Sequence, residues 1–149
     1  MMKIVAIGKK SEPWLKIGLE GYNKRLQGRF EVEWVILPNS GFTDARACEN
    51  ESKLILSRLK ADDYVILLDE RGKALDSIEL SDLLIKHLSQ PIVFIIGGAY
   101  GVDQTVKDRA NYIWSLSRLV FPHQVVRLVL TEQVYRSQTI LSHHPYHHK

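Results

Sequence analysis

The stretch that decides the fold is PIVFIIGGAYG, residues 91–101. The unbroken apolar run from Ile92 to Ile96 reads as a strand buried on both faces, because a strand with one wet face would alternate. Gly97 and Gly98 end it, and a helix is expected near 102–110. A strand covered on both sides that turns at once into a helix is the repeating unit of a parallel α/β sheet. The same unit recurs elsewhere. KIVAIG at 3–8 reads as a first strand, followed by an amphipathic helix over 13–27 on which Trp14, Leu15, Gly18, Leu19, Tyr22 and Leu26 recur at helical spacing. FEVEWVIL at 30–37 sets Val32, Trp34 and Ile36 against Glu31, Glu33 and Val35, the pattern of a half-buried strand. PNSGF at 38–42 is turn chemistry. A helix over 43–60 follows, with Thr43 or Asp44 as N-cap and Leu54, Ile55 and Leu59 facing inward. YVILLDERGK at 64–73 reads as a buried strand breaking into a charged turn. Asp76 and Glu79 have the spacing of a capping box ahead of a helix carrying Leu80, Leu83, Leu84, His87 and Leu88. The expected fold class is α/β, with a mainly parallel sheet and helices on both faces.

The chain has 149 residues, which suits a single domain over 1–149 with a sizeable core. Its composition, 45% hydrophobic and 25% charged, is that of a soluble globular protein. No apolar run approaches the roughly 18 residues that cross a bilayer, so no membrane role is expected. The start, MMKIVAIGKKSEPW, lacks the apolar length and cleavage site of a signal peptide. Cys48 is the only cysteine, which excludes a disulfide framework and points to a reducing, cytoplasmic setting. The net charge is +3, with Lys9, Lys10, Lys16, Lys24, Arg25 and Arg29 gathered in the N-terminal third. That cluster is either a phosphate-facing surface or a solvated helix face, and charge alone favours the solvated face.

Chemistry concentrates at strand ends, where doubly wound sheets bind ligands. Three ends stand out: LLDERGK, IIGGAYG and SLSRLVFPHQ. Gly97-Gly98-x-x-Gly101 lets backbone approach a ligand, yet it is neither the dinucleotide fingerprint nor a phosphate loop. Residues 112–127, YIWSLSRLVFPHQVVR, place apolar walls, small polar groups and a helix start within one loop, which suits a flat, half-polar ligand. The helix over 122–142 opens with Pro122, where the missing N–H costs nothing. Its expected core stripe is Val126, Val129, Leu130, Val134 and Leu141. Val125 and Leu128 add apolar surface beyond that stripe, which points to a second buried face against another copy of the chain. Glu132 and Arg136 have i,i+4 ion-pair spacing. Four of the six histidines fall in the tail HHPYHHK at 143–149, without the carboxylates or cysteines that would make a metal site, so no metal is expected.

Read together, IIGGAYG, the long block FPHQ-x-x-R-x-x-L-x-EQ-x-YR and the terminal PYHHK closely resemble the RlmH family of SPOUT-class methyltransferases. The resemblance runs the full chain, including the KIVAIGK start and the helix beginning near Trp14. It implies a C-terminal trefoil knot, an exception to unthreaded topology, and a homodimer. It further implies S-adenosylmethionine as cofactor. The implied activity is methylation of N3 of a pseudouridine in the helix 69 stem-loop of 23S rRNA, preferably on the assembled ribosome. Carried over by position, the cofactor-binding residues are Leu68, Gly97 and the loop Leu116, Ser117, Arg118, Leu119, Val120 and Phe121. The chain departs from the family pattern at its end, where His148 stands before Lys149.

The implied reaction must remove an imide proton. His147 is the expected base, with Tyr146 orienting or stacking on the nucleobase and Arg136 stabilising charge on its carbonyl oxygens. His123 reads as structural, at the start of the last helix. Two other classes fit the same fold: a non-catalytic ribosomal RNA-binding factor, and a SPOUT enzyme acting on tRNA. The intact cofactor loop argues against the first. The lack of an RNA-binding extension argues against the second.

Overall fold

A computed structural model describes residues 1–148. The chain alternates strand and helix throughout: β1 (Met2–Ile7), α1 (Pro13–Asn23), β2 (Val32–Leu37), α2 (Asp44–Leu56), β3 (Tyr64–Ala74), α3 (Ser77–Lys86), β4 (Ile92–Ile96), α4 (Gln104–Arg109), β5 (Tyr112–Ser115) and α5 (His123–Leu141). A single 3-10 turn, Gly28–Phe30, leads into β2. The five strands form one sheet in the order β2-β1-β4-β3-β5, and every pairing is parallel.

Side-chain alternation divides the core into two layers. Ile92, Phe94 and Ile96 of β4 join Ile4 and Ala6 of β1 on one face, under Leu80 and Leu84 of α3 and Leu130 and Val134 of α5. Val93 and Ile95 join Val5 and Ile7 on the other face, under Ile55 of α2 and Val106 of α4. Thus β4 is buried on both sides, which is why it is apolar without a break. α1 packs beside α5 on the first face, burying Leu15 and Leu19.

Local signals explain several ends. Asp76 accepts from the Glu79 backbone N–H at 2.8 Å, and Glu79 accepts from the Asp76 N–H at 2.8 Å, completing the capping box. Four details differ from expectation, one being that α1 ends at Asn23 and not at 27, so Leu26 lies beyond it. The strand expected to break at 69–73 continues to Ala74, because Lys73 and Ala74 pair again with β5. Leu68 and Lys73 both face Trp114, so 69–72 bow out of the ladder as a bulge. Gly72 makes this fit, since a Cβ there would lie 2.6 Å from the Ile113 carbonyl oxygen. Leu54 and Leu141, expected in the core, lie at the surface; Leu141 is 43% exposed because α5 ends there, past the sheet. α2 stops at Leu56 instead of near 60, its last turn closed by Ser57 N–H to the Lys53 carbonyl.

Candidate active site

The connections after β3 and β4 leave the sheet on opposite faces, through α3 and α4, and such a divergence opens a crevice at the strand ends. A cleft of about 440 Å³ occupies that position. The β3 bulge supplies Leu68, Asp69, Glu70 and Arg71. The turn after β4 supplies Gly97 to Gly101. The loop after β5 supplies Leu116, Ser117, Leu119, Val120 and Phe121, and the start of α5 supplies His123 and Val126. Arg118 is not part of the lining; its side chain is exposed. The remaining expected cofactor residues are thereby brought together from three separate strand ends.

The walls are held from behind. Cys48 Sγ donates to the Tyr100 carbonyl at 2.8 Å, and Ser52 Oγ accepts from Asp103 N–H at 2.9 Å, tying the glycine turn to α2. Ser115 Oγ donates to the Ser117 carbonyl at 3.0 Å, and Ser117 Oγ accepts from Leu119 N–H at 3.0 Å. These bonds curl the loop while leaving Leu119 and Val120 outward, 68% and 81% exposed. At Gly97 a Cβ would meet Val102 Cγ1 at 3.1 Å, so a side chain there would crowd Val102 at the cleft wall. Leu68, Leu116 and Val126 offer apolar faces for a nucleobase. Asp69 and Glu70 offer carboxylates for a cationic group, with Arg71 and Lys107 for an anionic one. This donor set fits S-adenosylmethionine, which combines an adenine, a sulfonium, an ammonium and a carboxylate.

The neighbouring crevice, between the ends of β1 and β4, is filled from within. Arg127 is 1% exposed and reaches behind Gly8, where a Cβ would lie 3.3 Å from its Nη2. Glu51 is 3% exposed, and a side chain at Gly98 would strike its Oε1. Glu51 Oε2 accepts from Ser40 N–H and Oγ at 3.0 and 2.9 Å, anchoring the 38–42 loop. His123 lies within reach of both charges. Burial, with Arg127 beside it, holds its pKa below the ordinary value, while Glu51 opposes that shift. Sequence reading did not single out Glu51, and it took Arg127 only as part of the FPHQ-x-x-R block, without foreseeing its burial. The available signal was a charged residue three before Leu130 on the buried stripe of α5.

Arg136, Tyr146 and His147 form a second cluster with Glu132. Arg136 donates twice to Glu132 Oε1, from Nε at 3.0 Å and Nη2 at 2.6 Å, and from Nη1 to His147 Nδ1 at 3.1 Å. The Tyr146 hydroxyl donates to the same carboxylate oxygen at 3.0 Å. Its ring lies 4.8 Å from the Arg136 guanidinium and 4.8 Å from Tyr135, edge to face. Hydrogen bonding to Glu132 raises the Arg136 pKa, so the guanidinium stays charged. Burial, then bonding to Tyr22 and Glu132, pushes the Tyr146 phenol up. Glu132, read from sequence as half of a surface ion pair, is the hub of this cluster. Lys149 lies outside the described residues.

The two clusters are separate within one chain. Arg136 stands ten residues beyond Val126 on α5, about 15 Å further along the axis at about 1.5 Å per residue. None of Arg136, Tyr146 and His147 lines the cleft. Among the described residues no group of His, Cys, Asp and Glu is placed to hold a metal ion, and no helix is long and apolar enough to cross a membrane.

A family model described as "Predicted SPOUT methyltransferase" matches residues 1–147. Proteins named "Ribosomal RNA large subunit methyltransferase H" are similar along nearly their whole length. The one from Gloeobacter violaceus is 39% identical over 148 residues, covering 99% of this chain and 98% of the relative. The one from Flavobacterium johnsoniae is 39% identical over 155 residues, covering 99% of each. That from Francisella tularensis subsp. novicida is 37% identical over 152 residues, covering 98% of each. With similarity running from the first strand into the tail, and a parallel sheet carrying a cleft at its strand ends, the chain belongs to the SPOUT methyltransferase family.

Proposed function

We propose that this protein is an S-adenosylmethionine-dependent methyltransferase of large-subunit ribosomal RNA. Its target is N3 of a pseudouridine in the helix 69 stem-loop of 23S rRNA, met on the assembled ribosome. It works as a cytoplasmic homodimer of one-domain chains, 1–149, each with a knotted C-terminal half. The carrying observation is the cleft, in which residues expected from three distant stretches converge with the right chemistry for the cofactor. The names of the relatives support ribosomal RNA as substrate.

The cofactor supplies a methyl group on a sulfonium, open to displacement by a nucleophile. The chain's own part is positioning, which carries most of the catalysis in such a transfer. Leu68, Leu116 and Val126 would hold the adenine, and Gly97 would let backbone approach it. Asp69 and Glu70 favour the positive charge of the sulfonium and ammonium groups. Arg136, Tyr146 and His147 belong to the side that meets the nucleobase.

The tail cluster stands about 15 Å along α5 from its own cleft, which supports a site completed by a second copy. In this reading a second copy lays its tail over the exposed Leu119 and Val120. Half-buried Val125, Leu128 and Val129 and exposed Trp14 and Ile17 supply an apolar surface for such pairing. Exposed Lys9, Lys10 and Lys16 supply charge for RNA phosphates.

Mass mapping of 23S rRNA nucleosides from cells lacking this protein tests the reading. One methyl group should vanish from a helix 69 pseudouridine and return when purified protein, cofactor and ribosomes are combined. An unchanged nucleoside map would defeat the proposal, and light scattering of a monomer at micromolar concentration would defeat the homodimer.

A further inference from the structure

The polar cluster on the second half of α5 has a direction. A guanidinium carries five N–H donors and no acceptor. Because Arg136 Nη1 lies 3.1 Å from His147 Nδ1, that ring nitrogen must accept with its lone pair. A neutral imidazole has one ring proton, and here it sits on Nε2. Nε2 itself has no partner among the described residues.

The arrangement resists reversal. Arg136 is tied to Glu132 by two further bonds, so it cannot turn away from His147 without breaking all three. Glu132 Oε2 accepts from Gln133 Nε2 at 2.7 Å, and Gln133 Oε1 accepts from the Ser77 hydroxyl at 2.8 Å, at the start of α3. The ladder thus runs from α3 through Glu132 and Arg136 and ends at the imidazole.

We propose that His147 acts on the nucleobase as a hydrogen-bond donor through Nε2, its tautomer held by Arg136 and Glu132, in place of the base role expected from sequence. The proposal rests on the reading of this protein as a pseudouridine-N3 methyltransferase. N3 lies between two carbonyl groups, and when it loses its proton the electron pair spreads onto both oxygens. An N–H aimed at one of them makes that ionisation easier and is not consumed. The imide proton passes to water, the electron pair stays on the nucleobase, and His147 keeps its own hydrogen. Tyr146 fits this division, because its hydroxyl hydrogen is committed to Glu132.

Heteronuclear NMR of the histidine ring nitrogens, with His147 assigned by its loss in His147→Gln, reads the tautomer without any substrate. The expected pattern is Nε2–H in the wild type at neutral pH, turning into a mixture in Arg136→Leu. An Nδ1–H pattern, or no response to Arg136→Leu, overturns the proposal. Single-turnover methylation of ribosomes reads the role. His147→Ala should lose roughly 10²–10³-fold, the range for one preorganised donor. His147→Gln, whose amide donates but takes up no proton, should recover to within about tenfold of wild type. If His147→Gln is as slow as His147→Ala, the donor role is wrong. Wild-type protein that leaves ribosomes unmethylated defeats the functional reading and removes the donor role with it, while the NMR result still reports the tautomer.

Discussion

α5 begins in the cleft and ends in the polar cluster, and the two regions are built in opposite ways. The cleft takes its shape from backbone: a bulge at 69–72, the turn at Gly97 and Gly98, and a loop curled by Ser115 and Ser117. Its apolar rim at Leu119 and Val120 is left uncovered. The tail cluster is a network in which Glu132 accepts from Arg136 and Tyr146 while Arg136 also donates to His147. Holding a flat, partly apolar ligand requires walls and close backbone, which sterics provide. Fixing the orientation of polar side chains requires bonded neighbours, which such a network provides. The two regions should therefore fail separately.

The largest expected effect comes from deleting 146–149. Turnover on ribosomes should fall roughly 10²–10⁴-fold, the span attributed to positioned proton donors and acceptors. Cofactor affinity measured by calorimetry should move far less, and an equal loss of both would erase the distinction between the regions. Gly97→Val is the converse probe. Crowding against Val102 should weaken cofactor binding roughly 10- to 100-fold, with the folded state confirmed by circular dichroism; unchanged affinity in a folded variant would break the cleft assignment. Glu132→Gln sharpens the tail side. Losing one charged hydrogen-bond hub should cost about tenfold in single-turnover rate, and a wild-type rate would mean the ladder is idle.

His123 probes the join between the regions through pH. Its folded pKa lies below the ordinary 6.5 because of burial first and Arg127 second. As pH falls through the unfolded value, the unfolded chain takes up a proton that the folded chain refuses, so stability drops on acidification. Melting temperatures at about pH 7.5 and about pH 5.5 should converge in His123→Asn relative to wild type. Identical pH responses of the two proteins would refute that. The smallest effect is expected at Arg118, whose side chain does not line the cleft: Arg118→Ala should leave cofactor affinity within about twofold. A large loss in calorimetry would return its side chain to the cofactor.

Much of the cleft was legible in the chain. Gly97, Leu68 and the 116–121 loop stand at strand ends, where a parallel sheet presents ligands, and only Arg118 turns away. The tail was legible in its members but not in its wiring. His147 and Tyr146 announce themselves by residue type, whereas Glu132 looked like an ordinary helix pair. Its meaning depends on Tyr146 returning from beyond the helix end.

What the sequence determined by itself is whatever short-range patterning controls. Apolar runs of strand length followed by helical periods dictate a parallel α/β sheet. Asp76 and Glu79 dictate a capped helix start, and Gly97 marks where backbone must stay bare. Only the tertiary structure decided that β3 runs on through a bulge, that Leu54 and Leu141 face water, and that Arg127 and Glu51 fill one crevice while the next stays open. It alone also brought Arg136 Nη1 to His147 Nδ1. Each of these depends on partners far apart in the chain: Arg127 against the turn after β1, Glu51 against the turn after β4, Lys73 against β5. Local spacing carries no record of which distant groups will meet. That is settled by packing, as burial of the apolar faces brings distant segments together.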